Sequence, residues 1–419
     1  MAMTRPVSVL LGVLVALLAV PRASPGFSVL AHQAVVDSAW EDSIVPALRR
    51  RFPEAGADAL RGARAYAYGG SHIPDLGYFP LGNRLFTDLT HYVRSGDFIT
   101  ALVESAGTLD EYAFALGALS HHITDSIGHP EATNPTVAEV YPELRKKYGD
   151  SVTYAEDHSA HLRTEFRFDV FQAARSADHL DLVQHAVAFE VSKPVLDRAF
   201  EKTYGLRLDD LFVNTDVAIA TYRWAFREVI HEVTGIAWEL YEADIRAVDP
   251  NIKPDEFIQD MSRADFQKEF GKTFREPGYL AKFLALLVKL VPDVGPFKRM
   301  PYKPLPAEAQ QRFQSALSHI LAEYRSSVAE ARRHSPARPN LNLDTGRPVH
   351  RGEYEPADAA YASLLEKLED RHFDHVPRAL RADILRFYGA SGDEAAAVDD
   401  DRGKLGSALA QLAAVRGER

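Results

Sequence analysis

A histidine, an aspartate and a second histidine recur at every fourth position of the segment SHHITDSIGH, as His121, Asp125 and His129. On an α-helix, residues four apart lie one above the other, so this spacing aims all three side chains the same way. The flanking Phe114, Leu116, Leu119, Ile123 and Ile127 are apolar, which predicts a buried helix. Farther along, His161 and Glu165 repeat the one-turn spacing. Buried imidazoles and carboxylates need partners, and two such rows on separate helices are how a helical bundle builds an interior metal site. Exposed polar pairs would show the same spacing for only a few tenths of a kcal/mol each. The rows alone leave both readings open.

Elsewhere the pattern is again helical. Leu30 to Trp40, Ile44 to Phe52, Ala101 to Ile127, Ala155 to Ala174 and Asp209 to Ala243 place apolar residues three and four apart. No alternating strands between hairpin turns and no fixed-period repeat are visible. The expected fold class is therefore all-α, a multi-helix bundle. Tyr68-Gly69-Gly70-Ser71 and Ile73-Pro74-Asp75 read as loops. Residues 333–357 read as a proline-rich linker between a helical body (27–332) and a C-terminal helical segment with a weakly docked tail (358–419).

The chain has no cysteine. Disulfides and thiolate ligands are excluded, and a zinc ion would be held by His, Asp and Glu. A net charge of −11 makes a poor sheath for a nucleic-acid backbone, so no stable nucleic-acid partner is expected. Residues 1–26 read as a signal peptide: Arg5, an apolar run from Val7 to Val20, then Ala23-Ser24-Pro25-Gly26. Cleavage just before Phe27 would leave the protein secreted or periplasmic. An uncleaved anchor is the alternative.

Taken in order, these motifs resemble the zinc-dependent phospholipase C family, whose relatives include fungal single-strand nucleases and glycosylphosphatidylinositol-specific phospholipase D. The resemblance rests on FSVLAH with Phe27 and His32, on Asp75 in HIPDLGYF, on His91 in DLTH, on His121 and Asp125, and on His129, His161 and Glu165. It implies a helical catalytic domain over 27–332 with three zinc ions, Asp125 bridging two of them. The third zinc would be chelated by the amine and carbonyl of Phe27 with His32, and so depends on cleavage before Phe27. The implied reaction is hydrolysis of a phosphodiester by a zinc-activated hydroxide, with Asp75 orienting or deprotonating the water and Asp125 holding two cations together. Phenylalanine stands where the family usually has tryptophan. The Asp125-to-His129 spacing of four is closer to the phospholipase D relatives.

Three other histidines and one apolar stretch need placing. His122 points about 100° away from His121 on a helix and reads as a neighbour of the site. His158 competes with His161 but lacks a carboxylate one turn on, and His72, in the Asp75 loop, reads as a turn cap, with contact to substrate as the alternative. The stretch from Tyr279 to Val291 reads as a buried helix by its length, with a bilayer-resting face as the alternative. A phospholipid or other phosphodiester is thus the expected substrate, with peripheral membrane contact a further expectation. Two alternatives stand beside it: a single-strand nuclease or nucleotidase, and an inert zinc-binding exported protein.

Overall fold

The computed structural model describes residues 29–79, 81–175, 189–248, 305–331, 337–389 and 403–415, with 250, 253 and 254. The expected signal peptide, Phe27 and the apolar stretch at 279–291 lie outside these residues. The chain is all-α: among the described residues there is no strand, and one isolated bridge joins Asn342 to Arg347. No described helix is long and apolar enough to cross a membrane.

Helices α1 (Val29–Ala39) and α2 (Val45–Arg51) are joined by a π-helical turn at Trp40–Ile44. Then come α3 (Ala57–His72), a 3-10 turn (Ile73–Tyr78), α4 (Arg84–Tyr92), α5 (Ser95–Ser105) and α6 (Leu109–Gly128). A second π turn (His129–Thr133) leads into α7 (Asn134–Val140), followed by α8 (Pro142–Tyr148) and α9 (His158–Arg175). The remaining helices are α10 (Lys193–Tyr204), α11 (Thr215–Val248), α12 (Ala307–Ala331), α13 (Glu355–Asp370), α14 (Arg378–Phe387) and α15 (Gly403–Ala414).

The centre of the fold is the packing of α3 against α6. A Cβ on Gly70 would come within 2.0 Å of the Phe114 carbonyl, and one on Gly117 within 1.9 Å of the Ala67 carbonyl. The two backbones therefore touch, and only glycine allows it. The Tyr68-Gly69-Gly70-Ser71 stretch, expected as a loop, is accordingly the last turn of α3. Its glycines serve close packing rather than chain reversal. On α4, α5 and α10, Phe86, Phe98, Phe200 and Tyr204 are fully buried and pack against one another.

Two other expectations are corrected. The continuous helix from Ala101 to Ile127 is broken at Gly107: Thr108 caps α6 by accepting the Glu111 N–H at 3.2 Å, and the Glu111 carboxylate accepts the Gly107 N–H at 2.7 Å. That reciprocal cap is written in the sequence as Thr-Leu-Asp-Glu. The long helix beginning at Asp209 instead starts at Thr215, after a 3-10 turn at Leu208–Asp210. Among the described residues beyond 337, several pack on the body. Leu343 N–H donates to the His91 carbonyl at 3.1 Å, and Leu343 and Asp344 are each 1% exposed. Within the expected tail, α15 buries Leu409 and Leu412.

Candidate metal centre

Each chemistry-bearing side chain is fixed by an element built for another reason. The close approach of α3 to α6 brings the Ser71 carbonyl to His121, whose Nδ1 donates to it at 2.9 Å. Thr87 joins α4 to the 3-10 turn that carries Asp75. Its hydroxyl donates to the Pro74 carbonyl at 2.6 Å and accepts the Gly77 N–H at 2.8 Å, while its own carbonyl accepts His91 Nδ1–H at 2.9 Å. One residue thus sets the separation of Asp75 from His91. On α9, Asp169 lies one turn past Glu165 and accepts the Val29 and Leu30 N–H groups at 3.0 and 2.7 Å. That carboxylate caps the start of α1 and fixes His32 close to the site.

The result is a buried pit in which three groups of three side chains bring their ligand atoms within 4.8 Å of one another: His32, His121 and Asp125; Asp75, His91 and His121; His129, His161 and Glu165. All eight residues are at most 4% exposed. Asp125 stands at the middle. Its Oδ2 lies 3.0 Å from His121 Nε2 and 3.4 Å from His91 Nε2, and its Oδ1 lies 3.1 Å from His32 Nε2 and 3.9 Å from His129 Nε2. Asp75 Oδ1 is 3.4 Å from His91 Nε2. At the far end, Glu165 Oε1 lies 2.8 Å from His161 Nε2 and 3.2 Å from His129 Nε2. The site residues expected from the sequence are therefore brought together, Phe27 excepted because it lies outside the described residues.

These atoms suit a cation better than they suit one another. Because His91 Nδ1 and His121 Nδ1 each donate to a carbonyl, a neutral ring carries its lone pair on Nε2. Yet the two Nε2 atoms face each other at 3.2 Å, lone pair against lone pair. Both oxygens of Asp125 and both of Glu165 are buried without a hydrogen bond of normal geometry among the described residues. A tetrahedral zinc with bonds of 2.0–2.2 Å separates its ligand atoms by about 3.4 Å, close to most of the separations in the pit. Donor set, spacing and tautomers all fit zinc.

Without a cation the pit is electrostatically strained. Burial alone pushes His91 down, but the Asp125 and Asp75 carboxylates beside it outweigh that and raise it to about 10. Burial pushes Glu165 up to about 8, against the opposing pull of His129. Burial also disfavours charge on Asp125, yet His121, His129 and His32 hold it well below the usual carboxylate range. His32 and His161 are both lowered, chiefly by burial. A divalent ion would reverse this logic, favouring carboxylate and neutral imidazole throughout.

The histidines outside the three groups fall into place as well. His158 stacks edge-on against Tyr154, with ring centroids 4.2 Å apart, while His161 is the one that faces Glu165. His122 is buried beside Arg338, and burial pushes it down to about 4. His72 does not act as the turn cap expected of it: its side chain makes no capping hydrogen bond to the 3-10 turn at Ile73–Tyr78, and its ring packs against His32 with centroids 5.8 Å apart. Sequence reasoning missed Asp344, which was placed in a linker. Its Oδ1 lies 3.5 Å from His129 Nδ1 and 4.0 Å from His161 Nδ1. The available signal was the apolar alternation of Leu341 and Leu343 within a polar stretch, a mark of partial burial.

No curated protein and no solved structure matches this chain. A family model does: it covers residues 31–212. That stretch contains every residue of the pit described here except Asp344, and the model it resembles describes zinc dependent phospholipase C.

Proposed function

We propose that this protein is an exported phosphodiesterase that holds three zinc ions in the pit and cleaves phospholipids in the manner of a C-type phospholipase. The observation that carries the reading is the convergence of four imidazoles on Asp125, two at each oxygen. A carboxylate so placed can serve cations on both of its sides. Asp75, His91, His121 and Asp125 would hold one ion, His129, His161 and Glu165 a second, and His32 with Asp125 and the Phe27 backbone a third. When bound, the ions supply the positive charge that activates water and stabilises charge growing on a phosphoryl group.

The chain's own residues do the rest. Asp75 Oδ1, held opposite His91 by Thr87, accepts a proton from water and orients it towards phosphorus. Asp125 would offset the charge of the cations held on either side of it. The Ser71 and Thr87 carbonyls keep His121 and His91 in the tautomer that presents Nε2. Displacement at phosphorus needs no covalent nucleophile, and there is no cysteine to act as one. Burial of the pit excludes bulk water and strengthens each of these interactions. The family match supports a phospholipid substrate.

The test is a product assay with zinc-loaded mature protein on phosphatidylcholine vesicles and on single-stranded DNA. Release of diacylglycerol is the expected outcome. Phosphatidic acid would replace C-type by D-type cleavage, and nucleotides would make the protein a nuclease. Absence of all three products from a protein carrying its zinc would make it an inert binder and overturn the proposal.

A further inference from the structure

Residues 337–349 lie outside the family match and form a strap across the pit. Leu343 N–H donates to the His91 carbonyl at 3.1 Å, and Asn134 Nδ2 donates to the Asp344 carbonyl at 2.8 Å. The strap turns through Gly346, whose φ is +66° and whose Cβ would meet the Ser126 carbonyl at 2.5 Å. Ser126 directly follows Asp125, so the strap presses on the very turn that carries the central carboxylate.

Asp344 points from the strap into this cluster, and its two oxygens are used differently. Oδ2 accepts the Tyr154 N–H at 2.9 Å and the Tyr354 hydroxyl at 2.7 Å. Oδ1 is buried and makes no hydrogen bond of normal geometry among the described residues. It is aimed at His129 Nδ1 and His161 Nδ1, at 3.5 and 4.0 Å. Holding the strap in place requires only Oδ2. A buried carboxylate oxygen left without a donor is costly, so Oδ1 has a use only if those two rings supply the protons.

We infer that Asp344 is a positioning residue for a zinc ion held by His129, His161 and Glu165. Its Oδ1 accepts Nδ1–H from both imidazoles and so commits both Nε2 lone pairs to the metal. The inference rests on the zinc-site reading of the pit. It adds to the family's segment a carboxylate that the C-terminal part of the chain supplies. A ligating histidine whose other nitrogen donates to a carboxylate is held in orientation and made more basic, and loss of the partner lowers metal affinity by about 10–100-fold.

Asp344→Asn separates this role from a structural one. Tyr154 N–H and Tyr354 O–H both donate towards Oδ2, so the amide oxygen must occupy that place, leaving the NH2 group to face the imidazoles. Donor would then meet donor, driving the ring protons to Nε2 and spoiling both as ligands. The readouts are zinc per chain by native mass spectrometry under competition with a chelator, and imidazole 15N–1H spectra of the zinc-loaded wild type. Expected are a D344N chain that binds one ion fewer, or binds it about 10–100-fold more weakly, and wild-type spectra with His129 and His161 protonated at Nδ1. Equal zinc retention by a folded D344N, or metal on Nδ1 in the wild type, would overturn the inference. Unfolding of D344N in the presence of zinc would overturn it too, because it would assign Asp344 to holding the strap. Absence of zinc from the wild type would instead overturn the reading on which the inference rests.

Discussion

His91 and His121 face each other Nε2 to Nε2 at 3.2 Å, each with Nδ1 committed to a main-chain carbonyl. Two neutral rings cannot hold that arrangement comfortably. A proton or a metal ion between the two nitrogens would relieve it.

Removing the metal should therefore make stability depend on pH in a defined direction. In the metal-free protein His91 is raised from 6.5 to about 10 and Glu165 from 4.5 to about 8. Groups with raised folded-state values stabilise the fold below their unfolded values, and that contribution fades as pH climbs through the folded ones. Thermal unfolding in the presence of a chelator should show the melting temperature falling between about pH 7 and pH 10. The zinc-loaded protein should show little fall over the same range, and should melt higher throughout, since a ligand at 100 times its Kd adds about 2.7 kcal/mol. A metal-free melting temperature that rises with pH would contradict the account of the pit.

Asp75→Asn and Asp125→Asn should part company. The first leaves the imidazoles in place, so zinc content should be largely kept while kcat falls by about 100-fold or more. The second removes a negative charge facing four imidazoles and should lower zinc content and activity together. Metal analysis alongside turnover on phosphatidylcholine distinguishes them. Full activity with asparagine at both positions would rule out the proposed roles.

Gly117→Ala tests the link between packing and chemistry. The added methyl would lie 1.9 Å from the Ala67 carbonyl, and relief requires α3 and α6 to move apart at a cost of about 1–3 kcal/mol. The same movement draws the Ser71 carbonyl away from His121 Nδ1. Denaturant melts should show the destabilisation, and zinc affinity should fall with it. Unchanged affinity in a destabilised variant would separate the helix pair from the site.

Much of this pit could be read from the chain because helical periodicity is a local property. His121, Asp125 and His129, like His161 and Glu165, converge through the four-residue spacing alone. The parts that stayed hidden depend on contacts between distant segments. Gly69 and Gly70 look like a turn until Gly117 is known to lie opposite α3, and Thr87 shows nothing of its hold on the Asp75 turn. Asp344 is separated from His161 by the whole C-terminal half of the body, and proline-rich sequence around it suggests exposure. The break at Gly107, by contrast, was written locally in Thr108 and Glu111 and was readable.

The N-terminal zinc makes a conditional prediction. Asp169 holds the Val29 and Leu30 N–H groups, fixing the chain two residues after Phe27. A mature form beginning elsewhere than Phe27, established by N-terminal sequencing, should bind one zinc fewer. If such a form still carried three ions, the Phe27 amine would not be a ligand.

The most direct measurement is the metal content of the purified mature protein, counted as ions per chain by native mass spectrometry. Three zinc ions are expected for a chain starting at Phe27, two of them retained whatever the N-terminus. A folded chain that takes up no zinc at stoichiometric concentration would contradict the central claim.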